Sequence, residues 1–338
     1  TGQGFPASVT VIVGFAPGGG EEGQVSAGRS AAARLQPQPG YDQTARLYAR
    51  HLGRFLPGQP DVAVRHLPGA ASMKAAAFLA KEAAADGGIL GVVSGEALIA
   101  PELRRDAALD YRITDLAFIG ARAASEYVCA ADSKAFPEGY AGTEQIAFAA
   151  TAPGRRPHVH AFIYRALTRT PVRIVDGYRD GNEMLLALRR GEVVGVCGLA
   201  FETIRAAAGP ALANGALRPL MRMAPSFSER LSAVPRAHEL AREQGWADAE
   251  VEALDVMAQE GALAWTLAAP ARLDPHRLAL LRHAFAALQE DRDYRREAQR
   301  RNLEISAVPP DEIERAAQRF ARLTDEQRAA IAKLTALP

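Results

Sequence analysis

The chain has 338 residues, 48% of them hydrophobic and 23% charged, with a formal net charge of +1 at pH 7 and a pI near 7.8. That balance lacks the strongly basic footprint of a nucleic-acid binder, and no stretch of sequence approaches the roughly 18 consecutive apolar residues that a membrane span needs. The length suggests two domains, and the two cysteines, Cys129 and Cys197, fit either one disulfide or two buried thiols.

Along the chain, short β-rich runs alternate with helical runs, which predicts α/β architecture with mostly parallel sheets. "TGQGFPASVT" at the start lacks a basic region followed by an apolar run, so an exported protein would already have lost its leader. "VTVIVGF" (Val9 to Phe15) reads as the first buried strand. After it come three glycines and a polar, Ala/Gly/Gln/Pro-rich stretch from Glu21 to Gly40. A helix follows with Ala45, Tyr48, Leu52 and Phe55 on one face. "VAVRHL", "ILGVVS" and "LAFIGA" are further strands, with the Ala-rich helix of "PGAASMKAAAFLAKEA" between the first two. Beyond Gly120 to Ala124 a second domain begins. There "EYVCAA", "QIAFAA", "VRIVDGY", "VVGVCGL" and "LRPLMRM" read as strands, and Val159, Phe162, Ile163, Ala166 and Leu167 form a helix face. A helix near Asn182 to Arg190 completes a strand–helix–strand unit, and the chain is expected to cross back near Ala224 to Ser228. The last third reads as mostly helical. Asp274 and Pro275 open a helix lined by Leu278, Leu281, Phe285 and Leu288, and "TDEQ" (Thr324 to Gln327) is a capping box.

Three loops carry glycine between a strand and a helix: "APGGG" (Ala16 to Gly20), "PGAAS" (Pro68 to Ser72) and "TAPG" (Thr151 to Gly154). Bare main-chain N–H groups beside a helix N-terminus can hold a small anion without lysine or arginine. The plainer reading is a set of sharp turns. Neither a phosphate-loop "GxxxxGK[ST]" nor a dinucleotide "GxGxxG" with its acidic residue is present. In open α/β sheets ligands sit beyond the carboxyl ends of strands, so loops on two domains would converge on one cleft.

"VTVIVGFAPGGG…YDQTARLYARHLGRFLPGQPDVAVRHLPGAASMKAA", followed by "ATAPG", "VDGYRDGNEMLLALRRGEVVGVCG" and "AVPRAHEL", resembles the solute-binding proteins of tripartite tricarboxylate transporters, the TctC or Bug family. The likeness runs nearly the whole chain outside Glu21 to Gly40. It implies a two-lobed type II periplasmic-binding fold, each lobe a mostly parallel sheet flanked by helices. Lobe one would span 1–121 and 228–338, with the loop 21–40 inserted, and lobe two 122–227. Two crossover hinge strands would let the lobes close on a ligand. Deleting Glu21 to Gly40 leaves the continuous family-like motif "FAPGGGYDQTAR". The segment therefore reads as an insertion of about 20 residues, an exposed loop tolerated because closure entropy grows slowly with length, or else a lid.

Carried over position by position, the resemblance places Ala16, Pro17, Gly18, Gly19 and Gly20 in a first carboxylate loop, with Tyr41 and Asp42 opening the next helix. Asp42 is favoured as that helix's N-cap. Gly69 and Ser72 match the second loop, and Thr151 and Gly154 match a loop of lobe two. Gly198 and Leu199 match a further contact there, where apolar Val196, Leu199 and Ala200 argue against a ligand as charged as citrate. The resemblance implies a monomeric periplasmic receptor, not an enzyme, without cofactor or metal. It would pass a small organic acid to permease subunits or to a sensor kinase. A disulfide between Cys129 and Cys197 suits that setting.

Two rival readings stand beside it. One is an α/β enzyme using the same cleft, with Asp42, Glu96 or His158 as its titratable group. The other is a degenerate receptor whose binding the 21–40 insertion has abolished. His158 and His160 at i, i+2 point in different directions on a helix, which is poor metal geometry. "RDYRREAQRR" reads as a solvated charged helix face.

Overall fold

The computed structural model describes residues 5–17, 40–104 and 109–335. The chain divides into two compact units: Thr1–Ala124 with Ala262–Leu323, and Ser125–Gly261 with Thr324–Pro338.

Unit 1 is built on β1 (Ser8–Val13), β2 (Asp61–His66), β3 (Ile89–Val93) and β4 (Leu116–Ala121). Unit 2 is built on β5 (Tyr127–Asp132), β6 (Ile146–Ala149), β7 (Val172–Val175), β8 (Gly195–Ala200) and β9 (Leu217–Met223). β10 (Thr266–Pro270) returns to the sheet of unit 1, whose order is β2-β1-β3-β10-β4, while that of unit 2 is β7-β6-β8-β5-β9. β1 runs parallel to β2 and β3, and β10 antiparallel to β3 and β4. β6 runs parallel to β7 and β8, and β5 antiparallel to β8 and β9. In each sheet four strands therefore run the same way, mostly parallel as the strand–helix alternation predicts, and one strand, β10 or β5, runs against them. β10 is the strand that reading misses, because its run "TLAAP" sits in an Ala-rich stretch that passes for helix.

The helices are α1 (Tyr41–Leu52), α2 (Met73–Lys81), α3 (Gly95–Arg104), α4 (Arg156–Thr168), α5 (Gly181–Arg189), α6 (Phe201–Ala213), α7 (Ala237–Glu243), α8 (Asp248–Ala258), α9 (Pro275–Glu290), α10 (Arg292–Arg300), α11 (Pro310–Ala321) and α12 (Asp325–Thr335). Their ends follow ordinary capping chemistry. Asp274 accepts from the N–H groups of His276 and Arg277. Thr324 and Gln327 bond reciprocally, the predicted capping box.

The unit boundaries differ from the expected 1–121 plus 228–338 and 122–227. The loop after β9 does not leave unit 2. Arg222 N–H donates to Pro235 O, and α7 and α8 fold back onto β9 and α4. α12 then packs on α8, so the chain passes between units a third time, at Leu323–Thr324, beyond the two crossovers expected.

The core of unit 1 gathers Val9, Val11 and Val13 of β1, Leu47 and Tyr48 of α1, and Leu281, Phe285 and Leu288 of α9. Within it Phe15 stacks on Tyr41 at 5.0 Å and Tyr41 on Trp265 at 4.5 Å, and the Arg122 guanidinium lies 4.2 Å over the Trp265 ring. Arg122 is fully buried and donates to Thr44 Oγ1 and Glu304 O. Unit 2 instead carries a disulfide, Cys129–Cys197, joining neighbouring strands β5 and β8.

Candidate ligand-binding site

In unit 1 the parallel strands β1, β2 and β3 end together, with Val13 opposite both His66 and Val92. Three connections meet at that edge. Leu67 N–H donates to Val13 O, and Ser94 Oγ donates to Ala71 O while accepting from Ala97 N–H at the start of α3. Gly14 lies directly against Ser72, where a Cβ would stand 2.6 Å from the Ser72 Cα, so only glycine fits. Ala16, Pro17, Gly69 and Ser72 are thus brought to one edge, with Ala16 and Pro17 exposed. Gly18, Gly19, Gly20 and nearly all of the Glu21–Gly40 stretch lie outside the described residues. Their flanks are adjacent, since Phe15 and Tyr41 stack.

The second loop is held in a strained conformation. Ala70, Ala71 and Ser72 all have positive φ, at 47°, 51° and 77°. Left-handed backbone at a non-glycine residue costs roughly 1–2 kcal/mol. Ser72 Oγ is buried and has no hydrogen-bond partner among the described residues.

Tyr41 and Asp42 take other roles than those expected. The Tyr41 ring is sandwiched between Phe15 and Trp265 and is 1% exposed. The N-cap of α1 is Gly40, not Asp42. Asp42 lies one position inside the helix, with Oδ1 2.9 Å from Arg46 Nε and 2.7 Å from His66 Nε2. Its charge is matched by side chains of α1 and β2.

Unit 2 repeats the arrangement. β6 and β7 end together beside the longer, parallel β8, and there Gly177 N–H donates to Thr151 O and Tyr178 N–H to Ala150 O. Ala152, Pro153 and Gly154 are exposed, Gly154 with φ +75°. His158, in the first turn of α4, places Nδ1 2.7 Å from Asp176 Oδ1 just after β7. Arg156 Nη2 lies 2.6 Å from Glu260 Oε1, and its guanidinium is 3.9 Å from the centre of the Tyr127 ring. His160 is fully enclosed; burial, with Arg156 nearby, pushes it down to about 3 from its usual 6.5.

Gly198 and Leu199 stand differently from the resemblance's implication. Cys197 and Gly198 together oppose Cys129, a β-bulge that uses the +70° φ of Gly198. The Gly198 Cα is packed on the carbonyl of Arg156, where a Cβ would come within 2.8 Å. Leu199 is in the apolar core with Val196 and Ile204. The bulge and the two ion pairs, His158–Asp176 and Arg156–Glu260, are not legible from spacing, because their partners lie far apart in the chain. Among the described residues no group of three His, Cys, Asp or Glu could hold a metal ion.

Set against solved structures, 96% of the chain matches 98% of a ligand-free TctC solute-binding protein from Polaromonas, with a TM-score of 0.65 at 14% identity. The fold is that of the TctC solute-binding proteins. The malate-bound MatC protein of Rhodopseudomonas palustris matches 97% of this chain over 99% of its own, with a TM-score of 0.55 at 21% identity. An adipate-bound protein of R. palustris matches 97% over 97%, at 0.56 and 18%. No family model and no curated protein matches the sequence. No described helix is long and apolar enough to cross a membrane.

Proposed function

We propose that this chain is a non-enzymatic receptor of the TctC or Bug type, capturing a small organic acid in the periplasm for a tripartite tricarboxylate-type permease or a sensor. The observation that carries the proposal is the repeated edge: in each unit parallel strands point their carboxyl ends toward glycine-bearing loops and helix N-termini. Main-chain N–H donors there, removed from bulk water, would bind a carboxylate far more strongly than the same groups in solution. Ala16, Pro17, Gly18, Gly19, Gly20, Gly69 and Ser72 are the proposed contacts of unit 1, and Thr151 and Gly154 those of unit 2. Malate and adipate, held by proteins of the same fold, mark the size and charge of ligand to try first.

A thermal-shift screen of mono-, di- and tricarboxylates tests this. A ligand at about 100 times its Kd stabilises the folded state by roughly 2.7 kcal/mol, and it should be recovered chemically unchanged. His158, oriented by the Asp176 carboxylate, is the group that favours the enzyme reading, since a general base is held in that way. Conversion of the stabilising acid, abolished by His158→Gln, would replace the receptor with that enzyme. Indifference to every acid would favour a receptor that has lost its ligand.

A further inference from the structure

α10 is the most highly charged helix of the protein, and its charges are sorted by direction. It buries Tyr294 and Ala298 in the core of unit 1. At about 100° per residue, Arg292, Arg296 and Arg300 fall on the opposite side, flanked by Arg295 and Gln299. Arg292, Arg296 and Arg300 are all exposed, and the ridge they form is bordered by Gln299 on one side and by exposed Asp293 on the other, next to Arg300. Glu290, Asp291 and Glu297 are closely paired with basic side chains, whereas Asp293 reaches only Arg54 at 3.8 Å and Arg296 at 3.7 Å. Glu297 takes Arg50, His51 and Arg301 at 2.5, 2.6 and 2.8 Å. Asp291 takes Arg54 at 2.7 Å and caps α10 through Tyr294 N–H. Glu290 takes Arg295 at 2.9 Å. Arg296 comes no nearer an acid than 3.7 Å, from Asp293, and Arg292 and Arg300 have no acidic partner among the described residues.

The five arginines of Glu290 to Arg301, with Arg50 and Arg54 beside them, face four carboxylates. This leaves a surplus of three positive charges on one surface of a chain whose whole net charge is +1. Nothing in the fold requires Arg292, Arg296 and Arg300, since the helix is anchored by its cap and its two buried residues.

We infer that the outward ridge Arg292–Arg296–Arg300 is a docking surface for an acidic polypeptide segment, with carboxylates spaced to match one turn of helix. The ridge is one helix wide and about 12 Å long from first arginine to last. Guanidinium groups pair carboxylates through two parallel hydrogen bonds, so successive turns can each read one acid. A continuous anionic surface such as a bilayer fits less well. It would press equally on Glu290 and Asp293, 78% and 62% exposed at the flanks. It would also find no apolar anchor, the one exposed large hydrophobic among the described residues being Phe227, in unit 2. The contact is small against the roughly 800 Å² per partner of a stable interface, so docking should be transient and salt-sensitive.

The test uses the full chain and a labelled helical peptide of about 16 residues bearing Glu at every fourth position, followed by fluorescence anisotropy at about 20 and 150 mM salt. Saturable binding is expected at the lower salt. It should weaken at least about tenfold in Arg292→Gln/Arg296→Gln/Arg300→Gln and less than about twofold in Arg189→Gln/Arg190→Gln, an exposed arginine pair at the end of α5. Glutamine keeps helix propensity, and unchanged melting verifies the fold. Arg296→Gln alone should give about a threefold loss, which keeps the question open to test if the triple variant melts early. Absence of saturable binding, equal losses in the two sets, or stronger ridge-dependent binding to vesicles rich in phosphatidylglycerol than to the peptide would each overturn the inference.

Discussion

The two units share one pattern of strand directions and hold it by opposite means. Unit 1 relies on a continuous column, Phe15–Tyr41–Trp265–Arg122, in which a fully buried cation closes an aromatic stack. Unit 2 relies on a covalent tie between its two central strands, with a glycine bulge beside it. A shared pattern of strand directions thus does not demand identical glue. Each unit needs only some device that locks its antiparallel strand, β10 or β5, against its parallel neighbours. In unit 1 the column also brings together Phe15 and Tyr41, which lie on either side of the 21–40 segment in sequence.

The contrast is open to attack from either side. Replacing Cys129 and Cys197 by alanine should lower the stability of unit 2 by about 2–4 kcal/mol. The protein supplies its own reporters for this, because Trp246 lies in unit 2 and Trp265 in unit 1. In a Trp265→Phe background the Trp246 unfolding transition should move to lower denaturant; in a Trp246→Phe background the Trp265 transition should not. Arg122→Met is the converse, expected to weaken unit 1 by about 2–3 kcal/mol through the hydrogen bonds to Thr44 and Glu304 and the contact with Trp265. A coincident loss in both transitions would mean that the units do not unfold separately.

Acid should separate them further. His160 of unit 2 is neutral when folded, so its contribution is complete above about 6.5 and is lost as pH falls toward about 3, because the unfolded chain takes up the proton first. In unit 1, Glu297 feels burial pushing it up. The hydrogen bonds from His51, Arg50 and Arg301 outweigh burial and hold it at about 2. Its contribution is present above about 4.5 and fades only below that. The Trp246 transition should therefore soften at higher pH than the Trp265 transition, and His160→Phe should remove the difference. The smallest effect expected is a gain. Ala71→Gly relieves a left-handed alanine at φ 51° and should stabilise unit 1 by about 0.5–1 kcal/mol after the extra chain entropy of glycine is subtracted. Calorimetry would check it, and a loss would show that the strain is illusory.

Local signals carried much of the architecture. Alternating apolar runs announced β1 to β9, and Asp274–Pro275 and Thr324–Gln327 announced two helix starts, because each is a short-range pattern. β10 was not legible, since an alanine-rich strand buried on both faces has no periodicity to set it apart from a helix. The return of α7, α8 and α12 to unit 2 was equally hidden. It depends on which apolar stripe finds which sheet, a choice made in three dimensions. At the candidate site the glycine loops were visible by composition. The internal engagement of Asp42 by Arg46 and His66, and of His158 by Asp176, joins residues from separate elements and emerges only on folding.

The packing of α12 on α8 has a consequence for biosynthesis. The helix that completes unit 2 is synthesised only after the whole of unit 1, although that unit's first strand starts at Tyr127. A nascent chain halted before Thr324 would hold α8 with an uncovered apolar stripe, and Ala330, Ile331 and Leu334, which are buried in the finished protein, would be missing. A fragment cut to 125–261 would thus remain unfinished however long it was given to fold.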